Sequence, residues 1–283
     1  MKVIILINCP DQAGIIHSVT QFIHSRSGNI IYLDQHVDKS SDIFFMRLET
    51  EFEFDEFSAE NFKTLFKDEL AQHYQMHWSI HLDTQRPKIA LFVSKYNHCL
   101  YDLLGRHNSG ELKVDIPFIL SNHPDLKFIA DQFNIPFYHI PFSKQNREEA
   151  EEKQLALLKE HKVDFVVLAR YMQIISERLI SIYPNRIINI HHSFLPAFAG
   201  AKPYHAAFKR GVKIIGATSH YITSELDAGP IIEQDVTTVS HSHSISDFIS
   251  KGRDLEKIVL SRAIKLHVLR KTMVYNNKTV IFS

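Results

Sequence analysis

The chain holds only two cysteines, Cys9 and Cys99, in 283 residues. They stand far apart and form no Cys-x-x-Cys pair. This excludes a cysteine-held metal ribbon and a disulfide-stapled secreted fold, and it fits a reducing cytoplasm. Net charge is missing too, since 32 basic residues balance 32 acidic ones. Without a basic excess, no nucleic-acid partner and no field-steered anionic polymer is expected. The opening apolar run from Val3 to Ile7 is too short for a signal core or a membrane span, and it stops at a polar turn. A soluble, unprocessed, cytoplasmic protein with no membrane partner is expected. Glycine is scarce, with nine in all. No dinucleotide fingerprint and no Walker motif occurs, so redox and nucleotide-hydrolysis functions lose support.

What is present is ordinary globular material, 45% apolar and 23% charged. The length allows two domains. Strand and helix periodicities alternate as βαββαβ over 1–83, with Gly28 expected as a left-handed helix cap, which predicts a ferredoxin-like unit. Asp83-Thr84-Gln85-Arg86-Pro87 is a polar linker. The remainder, 84–283, alternates strands and helices and predicts an α/β domain with an open, mostly parallel sheet. Two further strands, over 212–222 and 230–238, are expected as antiparallel additions, followed by a long helix over 246–269 and a short strand over 279–282. In such sheets ligands bind beyond the carboxyl ends of the strands.

Chemistry gathers at one such end. Asn189 and His191 leave an apolar strand two residues apart, His220 follows on a later strand, and Asp227 stands in Glu225-Leu226-Asp227-Ala228-Gly229-Pro230. An amide donor, an imidazole and a carboxylate can together polarise a carbonyl, move a proton and fix a tautomer, which suits acyl transfer or hydrolysis. Taken alone, the same residues also fit a strand cap, a polar surface histidine and a turn. His191, His192, His220, His241 and His243 invite a zinc reading, but no carboxylate or cysteine stands at ligand spacing, and no metal is expected. The first turn of the α/β domain, Ser94-Lys95-Tyr96-Asn97-His98-Cys99, has no glycine to cradle a phosphate. It opens on the carboxyl edge, where Lys95 and His98 can face a substrate. Ala169-Arg170-Tyr171-Met172-Gln173-Ile174 follows a buried strand and offers an apolar, flexible wrap for a flat heterocycle.

These residues resemble the folate-dependent formyltransferase family. The signature is Asn189-Ile190-His191, then Ser193 to Pro196, then His220, and Asp227 in its Leu-Asp-Ala-Gly-Pro setting. The resemblance is closer to the family's hydrolytic branch, the formyltetrahydrofolate deformylases. Three features carry this: the N-terminal unit with Asp11-Gln12-Ala13-Gly14, which looks like an ACT domain; the segment around His98-Cys99-Leu100; and the loop from Phe194 to His205. The resemblance implies a formyltransferase-type sheet with Asn189, His191 and Asp227 as the catalytic set and His220 in support. It implies hydrolysis of 10-formyltetrahydrofolate to tetrahydrofolate and formate, balancing one-carbon pools for purine biosynthesis, with the pterin along 168–176 and no cofactor or metal. Lys95, His98, Arg170, Tyr171, Met172, Gln173 and Ile174 join His220 as expected substrate-binding residues. The ACT-like unit implies an amino-acid effector and pairing into a homo-oligomer, and Gln12-Ala13, where an Arg-Pro-like pair is common, leaves the effector open. Bulky Lys95, Tyr96, Asn97 and His98 are expected to fill the place of a second substrate's phosphate, leaving water as nucleophile. The rival readings are a formyltransferase acting on an amine acceptor and a non-catalytic sensor.

Overall fold

The computed structural model describes residues 1–53, 58–83, 86–143, 145–197 and 203–283. The linker residues Thr84 and Gln85, the expected helix start at Phe57, and Phe198 to Lys202 of the loop after His191 lie outside them. The chain divides into two compact units: Met1–Arg86 with Arg270–Met273 and Val280–Ser283, and Pro87–Leu269 with Val274–Thr279.

The first unit begins with β1 (Lys2–Pro10), α1 (Ile15–His24), β2 (Asn29–Asp38) and β3 (Ile43–Glu51). It continues with α2 (Ala59–Phe66), a π-helical turn (Lys67–Ala71) and β4 (His77–Leu82). The strand order is β2-β3-β1-β4, and every pair is antiparallel, as a ferredoxin-like unit requires. Alternate residues of β1, Val3, Ile5 and Ile7, share a core with Ile15, Val19, Phe22 and Ile23 of α1 and Phe62 and Phe66 of α2. Phe22 meets Phe62 and Phe66 edge-on, each at 5.3 Å.

Gly28 is not the left-handed cap after α1. Ser27 takes that conformation, with φ 57°. Glycine is needed at 28 for close approach, because a Cβ there would lie 2.6 Å from both Ile23 and Phe52.

The second unit runs β5 (Lys88–Val93), α3 (His98–Asn108), β6 (Asp115–Ser121), α4 (Lys127–Gln132) and β7 (Phe137–His139). Next come α5 (Arg147–Glu160), β8 (Phe165–Ala169), α6 (Glu177–Ile182), β9 (Ile187–His191) and α7 (Pro203–Arg210). It ends in β10 (Ile214–Tyr221), β11 (Ile231–Thr238) and α8 (Ile245–Val268). The sheet order is β11-β10-β9-β8-β5-β6-β7. The five strands from β9 to β7 are parallel, while β10 and β11 are antiparallel additions. Strands β5 and β8 are apolar almost throughout because both faces are covered. On one face Cys99, Leu100 and Leu104 of α3 pack with Leu255, Val259 and Ile264 of α8; on the other lie Ala150, Leu158 and Leu179. Ser244 and Asp247 form a capping box that starts α8.

From β5 the chain winds first toward β7 and then back through β8 to β9. The order therefore reverses between β5 and β8, the switch point where such sheets open a crevice. A two-stranded sheet of β12 (Thr272–Tyr275) and β13 (Lys278–Ile281) follows α8. Asn276 and Asn277, both left-handed with φ of 45° and 59°, make its two-residue turn.

Candidate active site

Strand alternation sends Ile188 and Ile190 of β9 into the core and leaves Asn189 and His191 on the opposite face, at the carboxyl end of the strand. The antiparallel register of β10 sets His220 directly opposite Asn189. Asn189 Nδ2 lies 3.2 Å from His220 Nε2, and His220 Nδ1 lies 2.9 Å from the Tyr221 carbonyl oxygen. A carbonyl only accepts, so Nδ1 carries the proton and Nε2 presents a lone pair to the Asn189 amide. Burial lowers the His220 pKa against the opposing pull of the Tyr221 carbonyl and Asp227, which favours this neutral form. One amide hydrogen of Asn189 is thereby fixed on His220. The other is left to donate to a ligand oxygen. A bulge in the β10–β11 ladder falls at Ser219 and His220, a usual device for aiming a side chain at a site.

Asp227 comes from the loop after β10, itself in a left-handed conformation with φ 54°. The loop is folded tightly onto its own strand. Tyr221 N–H donates to the Pro230 carbonyl, and a Cβ on Gly229 would stand 1.8 Å from the Tyr221 oxygen, so only glycine fits there. Asn277 Nδ2 donates to the Ala228 carbonyl at 2.8 Å and holds the loop from the other side.

Asp227 Oδ1 then reaches His191 Nδ1 at 3.3 Å. The hydrogen bond from His191 lowers the Asp227 pKa, with His191, His220 and His192 charges assisting against burial. An ionised carboxylate accepts, so Nδ1 of His191 donates and Nε2 is its basic nitrogen. That Nε2 is buried and hydrogen-bonds nothing among the described residues. His220 Nε2 is 3.9 Å from Asp227, too far for a hydrogen bond. Asn189, His191, His220 and Asp227 thus form one cluster that brings together an amide donor, an imidazole with a free nitrogen and a carboxylate, a set able to polarise a carbonyl and move a proton.

The other expected residues divide. Tyr171 packs in the core, its ring against Phe92 at 5.4 Å and its hydroxyl bonded to Gln154. Burial raises its pKa to about 12. Apolar packing claimed it, leaving exposed Met172 and Ile174, with half-buried Gln173, as the loop's outward face. Lys95 is exposed.

His98 and Arg170 belong to a different group, centred on Glu256 of α8. His98 Nε2 lies 2.7 Å from Glu256 Oε2, Tyr204 donates to Oε1 at 2.7 Å, and Arg170 Nε approaches Oε2 at 3.4 Å. Burial pushes the Glu256 carboxyl up, but the His98 bond and the Arg170 charge outweigh it and hold it below the ordinary range. Nor do bulky side chains fill this space. Tyr96 and His98 line a cavity of about 210 Å³ instead. Sequence reasoning missed Glu256 and Tyr204. A readable signal was there: a carboxylate beside Leu255 and Val259 on the apolar face of a long helix demands buried partners.

His98, Cys99 and Glu256 offer ligand atoms within 4.8 Å of one another, a set that spacing alone did not suggest. It is poorly built for a cation. Arg170 already lies against the carboxylate, and burial first, then the Glu256 charge, raises the Cys99 thiol well above its ordinary pKa.

Residues 87–264 match the formyl transferase family model. A formyltetrahydrofolate deformylase of a Synechocystis species is 53% identical over 280 residues, 99% of this chain and 98% of its own length. The chain belongs to the formyltetrahydrofolate deformylase family. A Bacillus subtilis member is 43% identical and is matched over 99% of this chain and 93% of its own. The crystal structure of a deformylase from Pseudomonas syringae pv. tomato superposes with a TM-score of 0.96 at 45% identity, covering 100% of this chain and 95% of that one. A glycinamide ribonucleotide transformylase from Symbiobacterium toebii covers 72% of this chain and 98% of its own, with TM-score 0.66 and 25% identity. The deformylase family therefore shares both units, and the transformylase a smaller part. Among the described residues no helix is long and apolar enough to cross a membrane.

Proposed function

We propose that the chain hydrolyses 10-formyltetrahydrofolate to tetrahydrofolate and formate, with Asn189, His191 and Asp227 as the catalytic set. The observation that carries the reading is the donor–base–carboxylate cluster at the end of β9, in a chain similar to deformylases over its whole length. The free amide hydrogen of Asn189 donates to the formyl oxygen. His191 Nε2 takes a proton from water as the water oxygen bonds to the formyl carbon, and the carbonyl electron pair moves onto the oxygen facing Asn189. Asp227 steadies the imidazolium. Collapse of the tetrahedral adduct breaks the carbon–N10 bond, His191 returns the proton to N10, and formate and tetrahydrofolate leave. No electrons are gained or lost, so no redox cofactor is required, and the protein's own groups supply the proton transfers.

His220 acts through Asn189 as a positioning residue. Exposed Met172, Ile174 and Leu226 supply apolar surface for the pterin. The N-terminal unit, 1–83, serves as an ACT-like regulatory module that takes an amino-acid effector and pairs between subunits of a homo-oligomer. Residues 84–283 form the catalytic domain. The enzyme works in the cytoplasm, where its free, buried Cys9 and Cys99 stay reduced, and its formate feeds one-carbon and purine metabolism.

The test is formate release from 10-formyltetrahydrofolate by the purified chain with no amine acceptor. Turnover that disappears in His191→Ala supports hydrolysis. Loss of the formyl group only when an amine is supplied would make the chain a transferase.

A further inference from the structure

The crevice at the switch point holds a group that the proposed hydrolysis does not use. Arg170, one residue past β8, is buried and left-handed, with φ 64°, a conformation bulky residues adopt only where surrounding structure imposes it. Its Nε is close enough to Glu256 for ion pairing but off hydrogen-bond geometry. Neither Nε nor Nη1 has a hydrogen-bond partner among the described residues. Buried donors left unmet are costly unless a ligand or solvent accepts from them.

Arg170 lines the 210 Å³ cavity, together with Tyr96, His98, His192, His205 and Arg253. The Arg170 guanidinium lies 4.8 Å from the centre of the Tyr96 ring, and that of Arg253 lies 5.8 Å from it. Glu256, the carboxylate lining the cavity, already accepts from His98 and Tyr204. The wall is rich in cationic donors and poor in open acceptors, which suits an anion.

We propose that this cavity is a carboxylate site that receives the formate released by hydrolysis, an inference that rests on the function proposed above. His192 lines the cavity, and its ring centre is 5.2 Å from that of His191, so the cavity borders the catalytic cluster. Formate forms beside the Asp227 carboxylate, which repels it, while the positive charge of the Arg170 guanidinium lines the cavity on the other side. The two oxygens of formate match a guanidinium fork. Formate held here acts as a product inhibitor through Arg170.

The experiment is binding of isotope-labelled formate to the purified full chain, followed by NMR without folate, in wild type, Arg170→Met, Arg253→Met and Asp227→Asn. The expected result is saturable binding that Arg170→Met weakens about tenfold or more, the scale of one charged hydrogen bond. Asp227→Asn should retain binding. Arg253 is exposed, so Arg253→Met, with a smaller expected loss, carries the test if Arg170→Met does not fold. Formate binding indifferent to both arginines overturns the proposal. So does inorganic phosphate displacing formate and binding far more tightly, which would make the cavity a phosphate site. Binding needs no turnover. Arginine-dependent formate binding without hydrolysis would therefore sink the catalytic reading alone, and turnover without such binding would sink only the site.

Discussion

Asp227 and Glu256 are both carboxylates held ionised by neighbours that include histidine, yet they are built for different work. Asp227 sits on a left-handed loop residue with its side chain 24% exposed and reaches His191 at 3.3 Å. Glu256 sits mid-helix, 1% exposed, with both oxygens bonded and Arg170 beside it. Spare lone pairs and access to solvent let the first orient an imidazole and meet water. The second has its hydrogen-bonding capacity consumed, so it organises other groups. The contrast teaches that a depressed carboxyl pKa does not by itself mark a catalytic acid–base group. What separates the two is what remains free once the partners are counted.

The sharpest way to break the comparison is to neutralise each carboxylate in turn. Asp227→Asn should lower kcat for formate release by roughly a thousandfold, ~4 kcal/mol of barrier, the scale of a positioned acid–base partner. Its denaturation midpoint should hardly move. A fully active Asp227→Asn enzyme would remove the carboxylate from the mechanism. Glu256→Gln should do the reverse in kind. It leaves a buried Arg170 charge without its counter-ion, and urea unfolding should reveal a loss of about 3 kcal/mol. Unchanged stability in that variant would mean Glu256 is not the centre of its cluster.

Two smaller effects refine the picture. Asn277→Ala removes the clasp on the Ala228 carbonyl, and a few-fold fall in kcat is expected, the ~1 kcal/mol worth of one hydrogen bond. KM should stay near its wild-type value, since the loop and not the substrate loses a contact. Finally, acid should separate the carboxylates through stability. Both folded pKa values are depressed, so each contributes stability that is present above its unfolded pKa, roughly 4, and is lost as pH falls through the folded value. An acid titration of unfolding should be less steep in Glu256→Gln than in wild type below that pH. Asp227→Asn should flatten it by less, because its carboxyl is partly solvated.

The grouping of Asn189, His191 and Asp227 was legible because its residues lie in short, ordered spacings. Asn189 and His191 share one strand face, and Asp227 precedes a glycine that the loop geometry requires. The Glu256 cluster was not, since its members come from 98, 170, 204 and 256 and no local pattern joins them. His98 was expected to face the carboxyl edge and Arg170 to lie on the loop after β8, but the partner of both is a helix residue far along the chain. That Tyr171 packs in the core was not legible, because an aromatic residue in a loop reads the same whether it packs or binds. The three-residue edge strand β7 and the strand β12 were too short to show a period. Ser27 rather than Gly28 took the left-handed turn, because Gly28 was needed where Ile23 and Phe52 close in.

By itself the sequence determined the βαββαβ unit, the parallel α/β sheet with its antiparallel additions, and the identity of the residues at the end of β9. Hydrophobic periodicity and strand alternation are local properties, and they dictate which faces are buried. Only the tertiary structure decided the His220 tautomer that aims the Asn189 amide, the Asn277 clasp on the Asp227 loop, and the cationic cavity around Arg170. Each of these depends on distances between atoms remote in sequence, and such distances are set when the elements pack.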